Sequence, residues 1–458
     1  MIADLKPYPE YRESEGKWLG EVPSHWAVRR FKYILREKDS RSTGGKEQLL
    51  RVSQFTGVTQ RLSLNGLEEP DTRAASLVGY KCVNPDDLVI NIMLAWNGSL
   101  GVSRYDGIAS PAYCVYRFGD VAKPWYYHHL LRSPAYKARI KALSTGVVES
   151  RLRLYTDDLF RLEALLPPPD EQAAIVRFLN HTNQRIERTI RAKRKVIALL
   201  NEQKQVIIHR AVTRGLNPNV RLKPSGIPWL GEMPEHWETL RSKYVFHEVD
   251  ERSVTGAETH LSMSQKLGLI PNSQIEVRRL VSESYVGAKL CRTGDLVLNR
   301  LKAHLGVFAL ASEPGLISPD YTVLRPARAM EPRFFEALYR TPACRVELRK
   351  RAKGIVQGFW RLYTDDFYDI RVPVPPVEEQ TVIMVTLDAE LAINNTAVDR
   401  TEREINLLRE YRTRLIADVV TGKLDVREAA ARLPEQDELP ELNEVIVEDD
   451  DLTEDGEP

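Results

Sequence analysis

One segment of the chain combines the side chains that proteins use to contact nucleic acid. Residues 349–361 contain five cations, a glutamine, two aromatic residues and two glycines within thirteen positions. Glycine lets the backbone approach phosphate groups, while Arg, Lys and Gln donate to phosphates and base edges. A solvated charged surface explains any one such segment equally well. We expect DNA contacts here from Arg349, Lys350, Arg351, Lys353, Gln357 and Arg361.

A second segment has a similar but less charged pattern 210 positions earlier. Residues 139–151 contain three well-spaced cations around Gly146. By the same argument, DNA contacts are expected from Arg139, Lys141 and Arg151.

The sequence patterns of catalytic sites are missing. The chain has no phosphate-binding loop, dinucleotide fingerprint, zinc-protease motif or nucleophile elbow, and it lacks the proline loop of amino-methyltransferases. Residues 202–204 have the Glu-x-Lys form of a nuclease site, but they lie in a long helical segment without a nearby strand-borne Asp. His25 and His236 lack companion ligands for a metal ion. We therefore predict no catalytic, cofactor-binding or metal site in this chain.

A long internal repeat determines how these segments are positioned. Trp18–Trp26 returns as Trp229–Trp237 with seven of nine residues identical, and Arg153–Asp158 returns as Arg361–Asp366. A period near 210 residues is far too long for solenoid repeats of roughly 20–50 residues. Each copy should therefore be a domain with its own core. Because His25 and His236 stand beside Trp in the repeat, we expect them to pack at domain junctions.

Each half ends in a proline stop followed by a long helical segment that finishes at Gly215 or Gly422. Both segments carry a narrow apolar stripe with charged residues around it, which favours pairing with one partner helix over burial in a broad core. The alternative is that each helix packs on its own globular domain. We expect the two helices to pair through Ile175, Leu179, Ile197, Leu200, Ile207, Ile383, Leu387, Ile405, Leu408 and Leu415.

Composition limits the cellular setting and the partner. The net charge is +1, but residues 434–458 contain twelve Asp or Glu and no Lys or Arg, so the rest of the chain carries +13. A basic body suggests a polyanionic partner, although a generally basic solvated surface is the simpler reading. The four cysteines form no C-x-x-C pair, and no apolar run approaches the ~20 residues that span a bilayer. We predict a cytoplasmic protein with no membrane association.

The segments before each helix have mixed signals. Residues 87–92 and 295–299 look like buried strands, while Pro124 and Pro332 each start an apolar helical pattern. We therefore predict an α/β fold of two tandem globular domains, each followed by a long helix, with the helices forming an antiparallel coiled coil of pseudo-two-fold symmetry. The expected divisions are an N-terminal segment 1–26, first domain 27–166, central helix 167–215, junction 216–237, second domain 238–372, distal helix 373–424 and acidic tail 425–458.

Taken together, these features resemble a known family. Two domains, each opened by W-L-G-x-x-P-x-H-W and followed by a Pro-Pro-x-x-Glu-Gln or closely similar helix start, are similar to the specificity subunits of type I restriction-modification systems. The motifs are Trp18–Trp26, Pro168–Gln172, Trp229–Trp237 and Pro375–Gln380, and the likeness extends to about Arg432.

The resemblance implies that each globular segment is a target recognition domain for one half of a bipartite, asymmetric sequence in double-stranded DNA. It implies that the helices set the spacer between the half-sites. Two modification subunits that methylate adenine with S-adenosylmethionine, and restriction subunits that use ATP and Mg, would join the same complex. For these partners we expect docking residues in the repeated motif, namely Trp18, His25, Trp26, Trp229, His236 and Trp237.

Two other classes of protein remain open from the residues alone. The first is a DNA-binding regulator with two fused DNA-reading domains and no associated enzyme. It would normally carry a helix-turn-helix reader, and no segment has that pattern. The second is a nuclease or methyltransferase with an unrecognised site, which would need convergent carboxylates or a cofactor loop.

Overall fold

The computed structural model describes residues 5–14, 16–61, 74, 76–148, 152–264, 267–274, 285–354 and 360–434. These residues form two compact units. The first unit comprises the chain up to Ile190 together with the part from Ile405 onward, and the second comprises Arg191–Glu404. The division falls inside the two long helices, so each unit contains one globular domain and a stretch of both helices.

The first domain is rich in short strands. Its strands are β1 (Tyr11–Glu13), β2 (Glu21–Pro23), β3 (Ala27–Arg30), β4 (Leu35–Lys38), β5 (Leu50–Ser53), β6 (Gly57–Gln60), β7 (Lys81–Val83), β8 (Leu88–Asn91), β9 (Leu100–Val102), β10 (Gly107–Ala109), β11 (Tyr113–Phe118) and β12 (Glu163–Leu166). Its helices are α1 (Pro124–Leu131), α2 (Pro134–Leu143) and α3 (Thr156–Arg161).

An antiparallel sheet in the order β4-β11-β8-β9 forms the centre of this domain. Every residue of β8 is buried, as expected for a short apolar run covered on both faces. Val115 of β11 lies opposite Val89 of β8. The pairs β1-β2, β3-β12, β5-β6 and β7-β10 surround the sheet.

The long helix α4 (Pro169–Arg214) then leads to the second domain. Its strands are β13 (Leu222–Pro224), β14 (Glu232–Pro234), β15 (Glu238–Arg241), β16 (Phe246–Val249), β17 (Leu261–Ser264), β18 (Gly268–Pro271), β19 (Lys289–Cys291), β20 (Leu296–Asn299), β21 (Phe308–Leu310), β22 (Gly315–Ile317), β23 (Tyr321–Pro326) and β24 (Arg371–Val374). Its helices are α5 (Pro332–Tyr339), α6 (Pro342–Arg351) and α7 (Thr364–Tyr368), followed by the long α8 (Val377–Val420) and the short α9 (Arg427–Ala431).

The second domain repeats the topology of the first. Its central sheet has the order β16-β23-β20-β21, and Val323 lies opposite Val297 as Val115 lies opposite Val89. The prediction of two similar mixed α/β halves, each followed by a long helix, is confirmed. The expected strands and the helices that begin at Pro124 and Pro332 are present.

The two long helices contact each other in an antiparallel sense. In the second unit, Lys193 Nζ lies 2.6 Å from Glu404 Oε2, and Lys204 Nζ donates to Asn395 Oδ1 at 2.6 Å. In the first unit, Arg412 pairs with Glu187. Residue numbers in α8 therefore fall as those in α4 rise. Lys204 thus has a hydrogen-bond partner on α8, the neutral amide of Asn395.

Each unit has a core that receives one end of both helices. In the first unit, Ile175 and Leu179 near the start of α4 pack with Leu415 and Val419 near the end of α8, and Tyr126 of α1 donates to the carbonyl oxygen of Val420 at 3.0 Å. In the second, Ile383 and Leu387 of α8 pack with Ala211 and Val212 of α4. The alternative was that each helix packs only on its own domain. This holds for the first turns of each helix, whereas the last turns pack in the core around the other domain.

The segment at the start of the first domain meets the segment that follows α8. The backbone nitrogen of Asp425 donates to the carbonyl oxygen of Lys6 at 2.8 Å, and Tyr11 Oη donates to the carbonyl oxygen of Gly422 at 3.0 Å. The first unit is thus built from both ends of the described chain.

Candidate nucleic-acid interface

The repeated motif surrounds the first turn of the helix that follows it. In the first unit, the buried Glu171 carboxylate accepts hydrogen bonds from Tyr8 Oη at 2.5 Å and Trp26 Nε1 at 2.9 Å, and its other oxygen lies 2.8 Å from His25 Nε2. Burial and the bond to Glu171 raise the pKa of Tyr8, so the phenol stays a neutral donor. This network fixes the start of α4 against the domain.

The same motif makes fewer bonds in the second unit. His236 Nε2 lies 2.7 Å from Glu379 Oε2, but the indole nitrogen of the buried Trp237 has no hydrogen-bond partner among the described residues. Glu171 is 5% exposed, whereas the Glu379 side chain is 29% exposed. The two junctions have similar sequences, but among the described residues the first has more side-chain hydrogen bonds to its glutamate than the second.

The motif also receives the end of the other long helix. Gly422 has φ +78°, and a Cβ there would lie 2.5 Å from Pro23 Cδ and 3.0 Å from Trp26 Cζ3. Gly215 has φ +72°, and a Cβ there would lie 3.4 Å from Trp237 Cζ2. The positive φ favours glycine at both helix ends, and at Gly422 the close proline and indole rings also leave no room for a side chain.

The repeated glutamine beside each glutamate has a structural role. Gln172 Oε1 accepts from the backbone of Lys123 at 2.8 Å, and its amide nitrogen donates to the carbonyl of Pro167 at 2.8 Å. Gln380 does the same with the backbone of Glu331 at 2.9 Å and the carbonyl of Pro375 at 2.8 Å. The Glu-Gln pair therefore attaches the first turn of each long helix to its domain.

These contacts correct part of the expected docking set. Trp26 is 1% exposed and Trp237 is 0% exposed, so both indoles are core residues and offer no surface to a partner. Trp18 is half-buried, donates to Glu163 at 2.8 Å and carries the Arg139 guanidinium 5.6 Å from its ring. Of the six residues predicted to dock partners, His25, His236, Trp18 and Trp229 keep some accessible surface.

In the second unit, the predicted DNA-binding segment lies on and after α6. The Arg349 guanidinium stacks 4.9 Å from the centre of the Trp360 ring, whose other neighbour is His304 at 5.0 Å. Burial, followed by the charges of Arg349 and Arg345, lowers the pKa of His304 and favours its neutral form. Lys350 is exposed. Arg349 and His304 thus contact the Trp360 ring, Arg345 lies near His304, and Lys350 follows Arg349 on α6; we call His304, Arg345, Arg349, Lys350 and Trp360 the second-unit patch.

Three other cations of that segment are paired with carboxylates. Arg351 lies 2.9 Å from Glu347, Lys353 lies 2.8 Å from Asp366, and Arg361 lies 3.0 Å from Asp320. Such pairs neutralise the charge that would attract phosphate, so these residues are weaker candidates than Arg349 and Lys350. Gln357 lies outside the described residues.

In the first unit, the equivalent of Arg349 is Lys141, 208 positions earlier. Lys141 Nζ lies 5.3 Å from the centre of the Trp96 ring. Trp96 is part of a 3-10 helix formed by Ala95–Asn97. Lys137 packs on the neighbouring Gly98, where a Cβ would lie 3.1 Å from Lys137 Cε. We call Trp96, Lys137 and Lys141 the first-unit patch. Arg139 lies instead on Trp18, and Arg151 is outside the described residues.

Both patches therefore place a cation of equivalent position on an indole ring, but the ring comes from a different place in each unit. Position 96 in the first unit corresponds to His304 in the second, where the indole is supplied by Trp360. Sequence reasoning missed Trp96, Lys137, His304 and Arg345. The spacing of 208 aligns Arg345 with Lys137 and shows only that both halves have a cation at this position.

The residues expected to pair the helices differ in burial. Ile197, Leu200, Ile207 and Leu408 are half-buried. The others are buried, namely Ile175, Leu179, Ile383, Leu387, Ile405 and Leu415. On α4, the larger apolar residues Val196, Leu199 and Val206 are 46%, 54% and 60% exposed.

Over the described ranges, no group of three or more His, Cys, Asp or Glu side chains could hold a metal ion. In the same part of the chain, the helices include none with the length and apolarity of a membrane span.

Known proteins similar to this chain include specificity subunits of type I restriction enzymes. No family model matches the chain. It is 22% identical over 457 residues to the type I restriction enzyme MjaVIII specificity subunit of Methanocaldococcus jannaschii, a match covering 93% of this chain and 99% of that protein. It is 20% identical over 365 residues to the type I restriction enzyme EcoKI specificity subunit of Escherichia coli, covering 75% of each.

Among solved structures, one chain from a study of complex assembly and conformational transition in the type I R-M system shares the fold. Its TM-score is 0.60 at 17% identity, and the match covers 88% of this chain and 99% of that one. The two-domain, two-helix arrangement described above is therefore a known fold.

Proposed function

We infer that this chain, which belongs to the specificity subunits of type I restriction-modification systems, is the DNA target-recognition subunit of such a complex. It is the recognition component and not a catalytic one. The observation that supports recognition best is the pair of cation-on-indole patches, which occupy the same place in two units of the same topology.

We propose further that each unit recognises one half of a bipartite target. The strand order is the same in both units, whereas the patches differ in composition: two lysines and Trp96 in the first, and two arginines, Lys350, His304 and Trp360 in the second. Two similar scaffolds with different contact residues would bind two different base sequences, because base identity is recognised by individual side chains. The target is therefore asymmetric.

Exchange of one domain tests this proposal. A chain in which residues 238–372 are replaced by the second domain of a relative should methylate a sequence changed in one half only, when expressed with its modification subunit. Sequencing of methylated bases in the host genome gives both halves at once. The unaltered half is the internal control, and a change in both halves would contradict independent recognition.

We propose that the long helices set the spacer between the half-sites. Both helices pass without a break from one unit into the other, and their antiparallel ion pairs hold a fixed register within each unit. Four residues inserted near the middle of one helix add about 6 Å of helix. The spacer should then lengthen by one or two base pairs, at about 3.4 Å each, with the recognised bases unchanged. An identical methylated motif with the original spacer would contradict this role.

We propose that two modification subunits dock on the chain, one for each repeat, and that restriction subunits join the assembly. A partner that binds twice needs surfaces that occur twice. The exposed edges of the repeated motif meet that need: His25 and His236 are 38% and 49% exposed, each beside the buried Trp of its motif. The exposed apolar residues Val196, Leu199 and Val206 offer further contact area on α4. S-adenosylmethionine, ATP and Mg would be bound by those partners.

A further inference from the structure

Arg132 has an unusual environment for an arginine. It follows the last residue of α1, and its guanidinium donates to the carbonyl oxygens of Leu100 at 2.7 Å, Gly98 at 3.0 Å, Gln54 at 2.8 Å and Phe55 at 2.7 Å. A longer contact of 3.4 Å reaches the carbonyl of Ser53. One guanidinium thus binds two backbone segments that are separate in the sequence, residues 53–55 and residues 98–100.

Only arginine can make this set of bonds. Its guanidinium is a planar fork with donors on separate nitrogens, whereas the donors of lysine share one nitrogen. Here Nη1 donates to the carbonyl oxygens of Gly98 and Leu100, while Nη2 donates to those of Gln54 and Phe55. Burial lowers the pKa of Arg132 to about 10, so the group is still charged at neutral pH.

The segment held by Arg132 is the turn between β5 and β6, residues 53–56, which we call the β5–β6 loop. Three successive carbonyls of the loop face the guanidinium, and the Phe55 side chain is 51% exposed. The loop is closed by Gly57, where φ is +75° and a Cβ would lie 3.1 Å from His128 Cε1. Its backbone is therefore fixed while the Phe55 ring remains exposed.

The groups around Arg132 are arranged so that they do not compete with it. His128 lies one helical turn earlier and accepts from the backbone nitrogen of Val102 at 3.1 Å. Burial, and then the charge of Arg132, lowers the pKa of His128 well below its usual value, so the imidazole is neutral. His129 and Arg104 also lower that pKa.

Arg132 also connects the loop to the first-unit patch. Its bond to Gly98 places it beside the glycine on which Lys137 packs, and Gly98 follows the 3-10 helix that carries Trp96. Lys141 stacks on that same indole. The β5–β6 loop and the patch therefore share one anchor.

The equivalent position in the second unit is also arginine, and there it pairs with a carboxylate. Arg340 aligns with Arg132 and Glu336 with His128, 208 positions apart. Arg340 Nη1 lies 3.0 Å from Glu336 Oε1, an ordinary ion pair that a lysine can also make. In the first unit, the position of Glu336 is occupied by the neutral His128.

We propose that Arg132 is a positioning residue for specificity, which holds the β5–β6 loop as a base-recognition loop of the first unit without touching DNA itself. This inference rests on the proposed function. The loop supplies Gln54 and Phe55 at the edge of the first-unit patch, where glutamine can bond to base edges and an aromatic ring can contact the thymine methyl group. The guanidinium holds the loop backbone in place before DNA binds, so the loop loses little conformational entropy on binding.

The experiment compares Arg132→Lys with wild type and with the matched variant Arg340→Lys. The full chain, together with its modification subunit, is used to select targets from a randomised duplex library. For Arg132→Lys we expect discrimination against single-base changes in one half-site to fall about tenfold, since one well-placed base contact accounts for about that factor. The other half-site should be unchanged. Arg340→Lys should leave the half-site affected by Arg132→Lys intact.

A second variant separates positioning from folding. Gln54→Ala with Phe55→Ala removes the proposed contacts while Arg132 keeps its backbone acceptors, so it should weaken the same half-site with an unchanged melting temperature. Full discrimination by both Arg132→Lys and the loop variant would overturn the inference. A wild-type chain that selects no sequence at all would instead refute the proposed function. Equal losses in both half-sites would show that Arg132 supports the fold only.

Discussion

The variant Glu171→Ala is expected to lower the free energy of unfolding of the first unit by about 4 kcal/mol. Its carboxylate accepts from Tyr8, Trp26 and His25, and two of these donors lie in the core. Each buried donor left without a partner costs about 1–3 kcal/mol, and the lost carboxylate adds a cavity beside the indole. For a unit of this size the melting temperature should fall by roughly 10 °C.

The second unit provides the control for this prediction. Glu379 is the equivalent residue, but among the described residues it accepts from one side chain, His236, which is 49% exposed. Glu379→Ala should therefore cost less than about 1 kcal/mol. Calorimetry gives the overall transitions, and hydrogen exchange of peptides from residues 5–190 locates the loss. Equal destabilisation by the two variants would show that the three-donor network does not stabilise α4.

Removing two cations from the second-unit patch should produce the largest change in DNA binding. Arg349 and Lys350 lie on the exposed side of α6, and the carboxylates that neutralise their neighbours pair with Arg351, Lys353 and Arg361. If both contact phosphate, Arg349→Ala with Lys350→Ala should reduce the slope of log affinity against log salt by about 1.8. The loss should be similar for all sequences, since phosphate contacts carry no base information.

A charge-neutral variant controls for surface damage in the same region. Arg361→Gln with Asp320→Asn removes an ion pair without changing the net charge, so its salt slope should match wild type. Fluorescence anisotropy over a range of salt concentrations measures all three proteins. An unchanged slope in the double alanine variant would mean that the cations at the end of α6 form a solvated surface and that DNA binds elsewhere.

Much of the architecture could be predicted from the residues because the chain repeats itself. The uninterrupted helical segments and the apolar runs at residues 87–92 and 295–299 each produced the structure expected of them. Local patterns were sufficient here because helix periodicity, proline starts and glycine ends act over only a few residues.

The candidate site was less predictable because its contacts join distant parts of the sequence. Arg361 pairs with Asp320 and Lys353 pairs with Asp366 only in the folded chain. In the sequence the five cations therefore looked equally available to DNA, although these two are neutralised by carboxylates. Glu171 is buried as a triple acceptor, and its donors Tyr8, His25 and Trp26 lie at least 145 positions earlier in the sequence. The indoles of Trp26 and Trp237 looked like docking residues because aromatic residues recur both in cores and at interfaces.

The contact between Lys6 and Asp425 has a consequence for the gene. Since the segment before β1 meets the segment after α8, the order in which the two halves are encoded is not imposed by the folded protein. A reading frame opened in the turn after Gly215, with a short linker joining residue 434 to residue 5, would encode the same contacts with the second half first. Recombination could therefore rearrange or exchange halves of the gene, and give a cell new target combinations, without any new fold having to arise.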